Sequence, residues 1–180
     1  MICCRPHRRP VAALTLPLLA ALALLAACQG QPKTDPERQA KAYALYEGYK
    51  KDFPEAVEIR PEEAMKRWQD DGVVFIDARS EAERAVSTLP GAVSEQDYLA
   101  APDRFAGKQA VIYCTIGYRS GVLAQNLAAK GMAAANLAAG IVGWLHAGGS
   151  LVEASGAPTR RVHVYGRTWD LAPLAYTAVW

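Results

Sequence analysis

The sequence predicts one small α/β domain, a parallel sheet flanked by helices, and three observations carry that expectation. Residues 73–76 (Val-Val-Phe-Ile) and 109–113 (Gln-Ala-Val-Ile-Tyr) are short, nearly continuous apolar runs, the pattern of strands buried on both faces. Helical stretches lie between and after them, and strands that alternate with helices on this spacing build parallel sheets. At 180 residues and 51% hydrophobic, much of it alanine, the chain can fill one ordinary core and not two.

Residues 1–27 read as a lipoprotein signal peptide. Arg5, Arg8 and Arg9 form a positive n-region, and the apolar stretch 11–27, broken by Pro17, is short for a spanning helix. Leu25-Ala26-Ala27-Cys28 resembles the bacterial lipobox, which implies that the Cys28 thiol is acylated (palmitate is the expected chain type) and becomes the new N-terminus. The competing reading is ordinary secretory cleavage beside an incidental cysteine. Acyl chains anchor through burial of about 0.8 kcal/mol per methylene. By analogy with the lipoproteins that this site resembles, Gln29, in place of an inner-membrane-retaining Asp, implies the outer membrane facing the periplasm rather than the inner membrane. The expected location is therefore the bacterial cell envelope, with the membrane contacted through lipid on Cys28.

Residues 28–54 form a polar tether and an N-terminal helix. The helix is expected over 36–51, with Asp35 as N-cap and Pro36 at its first position. Tyr43, Tyr46, Tyr49 and Phe53 share one of its faces, as a core-packing stripe or, less simply, a ligand-binding one. A strand follows at 57–59, then a helix at 61–69 opening on Glu62 and Glu63, favourable at its positive end. Asp71-Gly72 turns into the strand at 73–76. After the strand at 109–113 come a helix at 123–129 closed by Lys130-Gly131, a strand at 134–137 and a short helix at 141–146. Gly140, Gly143, Gly148 and Gly149 read as turns, since no strand–GxGxxG–helix unit surrounds them. Residues 154–180 make an aromatic extension carrying His163, Tyr165, Trp169, Tyr176 and Trp180.

Charge narrows the function. The formal net charge is +2, and without Arg5, Arg8 and Arg9 the remaining 17 Lys and Arg face 18 Asp and Glu, so no nucleic-acid surface is written in the composition. No metal site is expected either, because His146 and His163 are far apart and no second thiol accompanies them. No cofactor motif is present.

The chemistry concentrates at residues 112–121. Once Cys3 and Cys4 leave with the signal and Cys28 takes lipid, Cys114 stands alone in an oxidising compartment, where structural cysteines pair. It sits where an apolar strand ends and a helix begins near Ser120, across a loop in which Gly117 is free to take φ > 0. Such a loop turns backbone N–H groups inward, and the next helix adds its positive end. With Arg119 these favour a nucleophilic thiolate. Thr115, Tyr118 and Ser120 offer hydroxyls to an anionic ligand, and Ile116 completes the loop.

The stretch Cys114-Thr115-Ile116-Gly117-Tyr118-Arg119-Ser120 resembles the active-site loop of the rhodanese family of sulfurtransferases. Asp77-Ala78-Arg79 with Glu83, then Leu89-Pro90-Gly91-Ala92, resemble its first box, and residues 136–144 its closing box. The likeness covers about residues 55–153. Two departures stand out: Ser87-Thr88 replaces the family's Gly-His, and Ala139-Gly140 its Gly-Gly. The resemblance implies a rhodanese-like domain in which the Cys114 thiolate takes a sulfane sulfur from a small donor such as thiosulfate. The resulting persulfide is held by loop residues 115–120 and passed to a thiophilic acceptor. Asp77 and Arg79 are candidates for substrate support, though a structural ion pair is the simpler role. Two other functions share such a loop. One is a persulfide carrier or redox-sensing binding module. The other is a phosphatase, whose related loop has five residues between Cys and Arg where this chain has four, a ring better matched to sulfur.

Overall fold

The computed structural model describes residues 31–180, and Pro32–Trp180 form one compact unit. The expected signal peptide and Cys28 lie outside the described residues. Helix α1, Asp35–Tyr49, begins one residue earlier than the sequence suggested, because Thr34 rather than Asp35 is the N-cap: its side chain takes the Glu37 amide while Glu37 reaches back in a capping box. Asp35 instead accepts the Leu174 amide at 2.7 Å. A 3-10 turn over Lys50–Asp52 follows.

The central sheet holds β1 Val57–Ile59, β2 Val73–Asp77, β3 Val93–Ser94, β4 Gln109–Tyr113 and β5 Ala134–Leu137, in the order β1-β5-β4-β2-β3 and parallel throughout. Each crossover carries a helix or turn: α2 Pro61–Gln69, α3 Glu81–Val86, α4 Glu95–Ala100 and α5 Tyr118–Ala128. Alternation along β2 and β4 sends Val73, Phe75, Val111 and Tyr113 to one face and Val74, Ile76, Ala110 and Ile112 to the other. The second face packs Ala124 and Leu127 of α5. The first carries Trp144 of α6, Gly140–His146, along with Tyr46 and Phe53.

Several elements differ from the sequence reading. Helix α5 starts at Tyr118 rather than near Ser120 or at 123, because Gly117 at φ 97 turns the chain straight into it. Gly140 and Gly143 are helical rather than turns. A Cβ at Gly140 would strike the Cys114 carbonyl, so the glycine lets α6 abut the cysteine loop, where the Ile141 amide donates to the Cys114 carbonyl at 2.8 Å. Helices α3 and α4 were not foreseen, although Ser80 caps Glu83 and Ser94 caps Asp97.

The aromatic extension is integral to the core. Its β7 Pro158–Thr159 pairs antiparallel with β6 Leu151–Val152, which precedes it, and its β8 Arg161–His163 pairs parallel with β9 Thr177–Val179. Val162, Val164, Leu171 and Ala172 are buried with the sheet residues. Arg38 fastens it by donating to the Asp170 carboxylate at 3.1 Å and to the Ala172 carbonyl at 3.0 Å.

Candidate active site

Parallel strands point their carboxyl ends to one edge, where ligand sites of open α/β sheets form. Strand β4 delivers Cys114 to that edge, 2% exposed and free of any disulfide. It is the one cysteine among the described residues. Its Sγ receives the Gly117 amide at 3.3 Å and the Ser120 hydroxyl at 3.5 Å, both within the range of sulfur hydrogen bonds. The loop shape is held from below. Asn136 of β5 donates to the Gly117 carbonyl at 2.9 Å, and the Tyr46 ring lies where a Cβ on Gly117 would stand. The aromatic stripe that runs from α1 past the 3-10 turn thus packs the domain through Tyr46 and Phe53.

Arg119 occupies the first turn of α5. Its guanidinium forks onto Glu83, Nη1 to Oε2 at 2.9 Å and Nη2 to Oε1 at 2.7 Å, and Nη2 also reaches the Thr115 hydroxyl at 3.4 Å. Burial alone would raise the Glu83 carboxyl, but hydrogen bonds from Arg119 and Ser80 outweigh it and bring its pKa to about 2. The Glu83 bond in turn raises the Arg119 pKa against burial, and the charge of the nearby Cys114 sulfur adds to it. Arg119 therefore stands close to the thiol with its own charge largely balanced.

Asp77 and Arg79 stand apart from this. Both are buried, and Arg79 forks onto Asp77 at 2.9 and 2.7 Å and donates to the Ser87 carbonyl at 2.6 Å. The Tyr113 hydroxyl donates to Asp77 at 2.6 Å and also meets Thr88 at 2.6 Å. Burial, then the charge of Asp77, raises the Tyr113 pKa, so the phenol stays a donor. This network ties the ends of β2 and β4 to segment 87–89, and neither member of the ion pair lines the cavity above Cys114. The support role weighed for them is structural.

That cavity, about 360 Å³, has Cys114, Thr115, Ile116 and Arg119 at its floor and Tyr49, Tyr118, Tyr165 and Trp169 as walls. Ser120, buried, serves the sulfur from behind, and Tyr118 is partly exposed. Tyr49 meets Tyr118 edge-on at 5.3 Å, and Tyr165 meets Trp169 edge-on at 5.3 Å. Trp169 Nε1 donates to the Tyr49 hydroxyl at 3.2 Å, closing the wall between α1 and the extension. The Tyr165 ring lies over the Arg119 guanidinium at 4.9 Å. Sequence reasoning found the floor and missed these walls, because pairing distant aromatics needs the tertiary fold. Among the described residues no group of three or more His, Cys, Asp or Glu converges as metal ligands would.

A family described as rhodanese-like domain matches residues 60–147. No curated protein matches the sequence. Among solved structures, a thiosulfate sulfurtransferase from Pseudomonas aeruginosa shares 23% identity over 66% of this chain, with a TM-score of 0.52; the likeness spans 24% of that longer protein and establishes the fold. A rhodanese-related protein from Thermoplasma volcanium has 17% identity over 53% of this chain and 97% of its own, with a TM-score of 0.45. A rhodanese-like domain protein from Staphylococcus aureus has 26% identity over 49% and 90%, with a TM-score of 0.41.

Proposed function

We propose that this chain, whose residues 60–147 are a rhodanese-like domain, is a sulfurtransferase that works through a persulfide on Cys114. The observation that carries the reading is the free Cys114 thiol at a cavity floor, its sulfur already met by the Gly117 amide and the Ser120 hydroxyl. These donors stabilise negative charge on sulfur, both as thiolate and as persulfide. The thiolate attacks the outer sulfur of a donor such as thiosulfate. A Cys114–sulfur bond forms, the donor's S–S bond breaks, and its electron pair leaves with sulfite. A thiophilic acceptor such as cyanide then takes the terminal sulfur, departing as thiocyanate and restoring the thiolate.

Phosphoryl transfer fits less well. A phosphate would need the fork of Arg119, which both oxygens of Glu83 occupy. A pure carrier role would share the persulfide and differ only in turnover. Lipid on Cys28 would hold the enzyme at the outer membrane facing the periplasm.

The test is steady-state thiocyanate formation from thiosulfate and cyanide, beside aryl phosphate hydrolysis at equal protein concentration. Sulfur transfer is expected, lost in Cys114→Ser, with negligible phosphatase turnover. Activity surviving in Cys114→Ser contradicts the mechanism.

A further inference from the structure

The cavity over Cys114 is walled by residues outside the matched domain. Tyr49 comes from α1, and Tyr165 and Trp169 from the extension; only Tyr118 lies within residues 60–147. The three are built into place. Trp169 is hydrogen-bonded to Tyr49, and Tyr165 sits at φ 67, a left-handed conformation costly for a bulky residue. The Tyr165 amide is held there by donation to His163 Nδ1 at 3.1 Å. Its ring is thereby set against Trp169 and above Arg119.

The electrostatics point the same way as the shape. Arg119 is the one charged residue lining the cavity, and Glu83 balances it. An inorganic dianion such as thiosulfate finds no free positive charge here and uses little of a cavity sized for an organic ligand, since such pockets run from about 300 to 1,000 Å³. Aromatic walls gain from a flat apolar body placed face or edge against them.

We infer that Tyr165 and Trp169, supplied from outside residues 60–147, make this site selective for a donor with an aromatic substituent, an aryl thiosulfonate, which they hold while its terminal sulfur meets Cys114. This rests on the proposed sulfur transfer and names its substrate class. With an aryl thiosulfonate the Cys114 thiolate bonds the terminal sulfur. The S–S bond breaks, and the pair leaves on the arylsulfinate, so charge is conserved and no oxidant or reductant is consumed. Tyr165 and Trp169 act as specificity determinants.

The test compares kcat/KM for benzenethiosulfonate and thiosulfate on the full chain, with cyanide as common acceptor. The native chain is expected to prefer the aryl donor at least tenfold. Tyr165→Gly removes an exposed ring and suits the left-handed backbone, so it keeps the fold; it is expected to lower the aryl-to-thiosulfate ratio about threefold to tenfold, mainly through KM. Trp169→Phe, which retains a ring, is expected to lower the ratio less than Trp169→Ala. Equal use of both donors, or a ratio unmoved by Tyr165→Gly, overturns the inference while sulfur transfer stands. Turnover of neither donor overturns both.

Discussion

At the Cys114 sulfur the decisive residues are few, and the pair that frames them is Glu83 with Arg119. Glu83 is buried, bonded to Arg119 and to the Ser80 amide, and joins α3 to the first turn of α5. Its carboxyl titrates near 2 in the fold against an ordinary value of 4.5. A carboxylate depressed by folding contributes stability that is fully present above its unfolded pKa and is lost as pH falls through the folded one. Glu83→Gln is therefore expected to cost about 1.5–3 kcal/mol at neutral pH, the worth of hydrogen bonds to a charged group. The difference from the native protein is expected to shrink steadily from about pH 5 to pH 2. Urea denaturation of both proteins across that range measures it, and a difference independent of pH would place the stabilisation elsewhere. In the same variant the Arg119 charge is no longer balanced, and kcat/KM for thiosulfate is expected to rise.

Among the elements, the contact of α6 with the cysteine loop governs how accurately Cys114 is placed. Gly140→Ala would drive a methyl into the Cys114 carbonyl and force a side chain onto a φ of 55. The expected loss is on the order of 3 kcal/mol from overpacking and backbone strain together, with a fall in activity beyond it; a fully active, fully stable variant would show that the loop does not depend on α6. How far such details were legible varied with their range. Strands β1, β2, β4 and β5, helix α2 and the cysteine loop follow from local pattern and lie where the sequence placed them, whereas the two-residue β3 carries no such signal. The Thr34–Glu37 and Ser80–Glu83 capping boxes were also written locally, as Ser or Thr followed three residues later by Glu, a signal passed over in favour of Asp35 at the first and missed at the second. The early start of α5 depends on Gly117 entering the left-handed region, which the sequence permits without requiring. The departures from the family boxes also find their reasons only in three dimensions. Thr88 hydrogen-bonds the Tyr113 hydroxyl, and Ala139 accepts a left-handed φ of 55 where the resembled family carries glycine, at about 1–2 kcal/mol. The cavity walls were beyond reach, since Tyr49 and Trp169 are separated by most of the chain and meet only after the sheet has formed.

For the whole molecule, the rhodanese-like domain is completed by what flanks it: α1 and the extension supply both core and cavity wall to the unit Pro32–Trp180. Among the described residues no helix is long and apolar enough to cross a membrane. The anchoring proposal rests on the lipobox resemblance at Cys28. Cys28→Ala is expected to move the processed protein from the membrane fraction to the soluble one and to leave thiocyanate formation intact; a native protein that already fractionates as soluble would remove the lipid from the account. The central claim is a sulfur held and released by Cys114. Its most direct measurement is the mass of the tryptic peptide spanning 109–119 after incubation with thiosulfate or benzenethiosulfonate, then again after cyanide. The account predicts a gain of one sulfur atom on that peptide, reversed by cyanide and absent in Cys114→Ser. A peptide that stays unmodified with both donors, or a sulfur that cyanide does not remove, would contradict it.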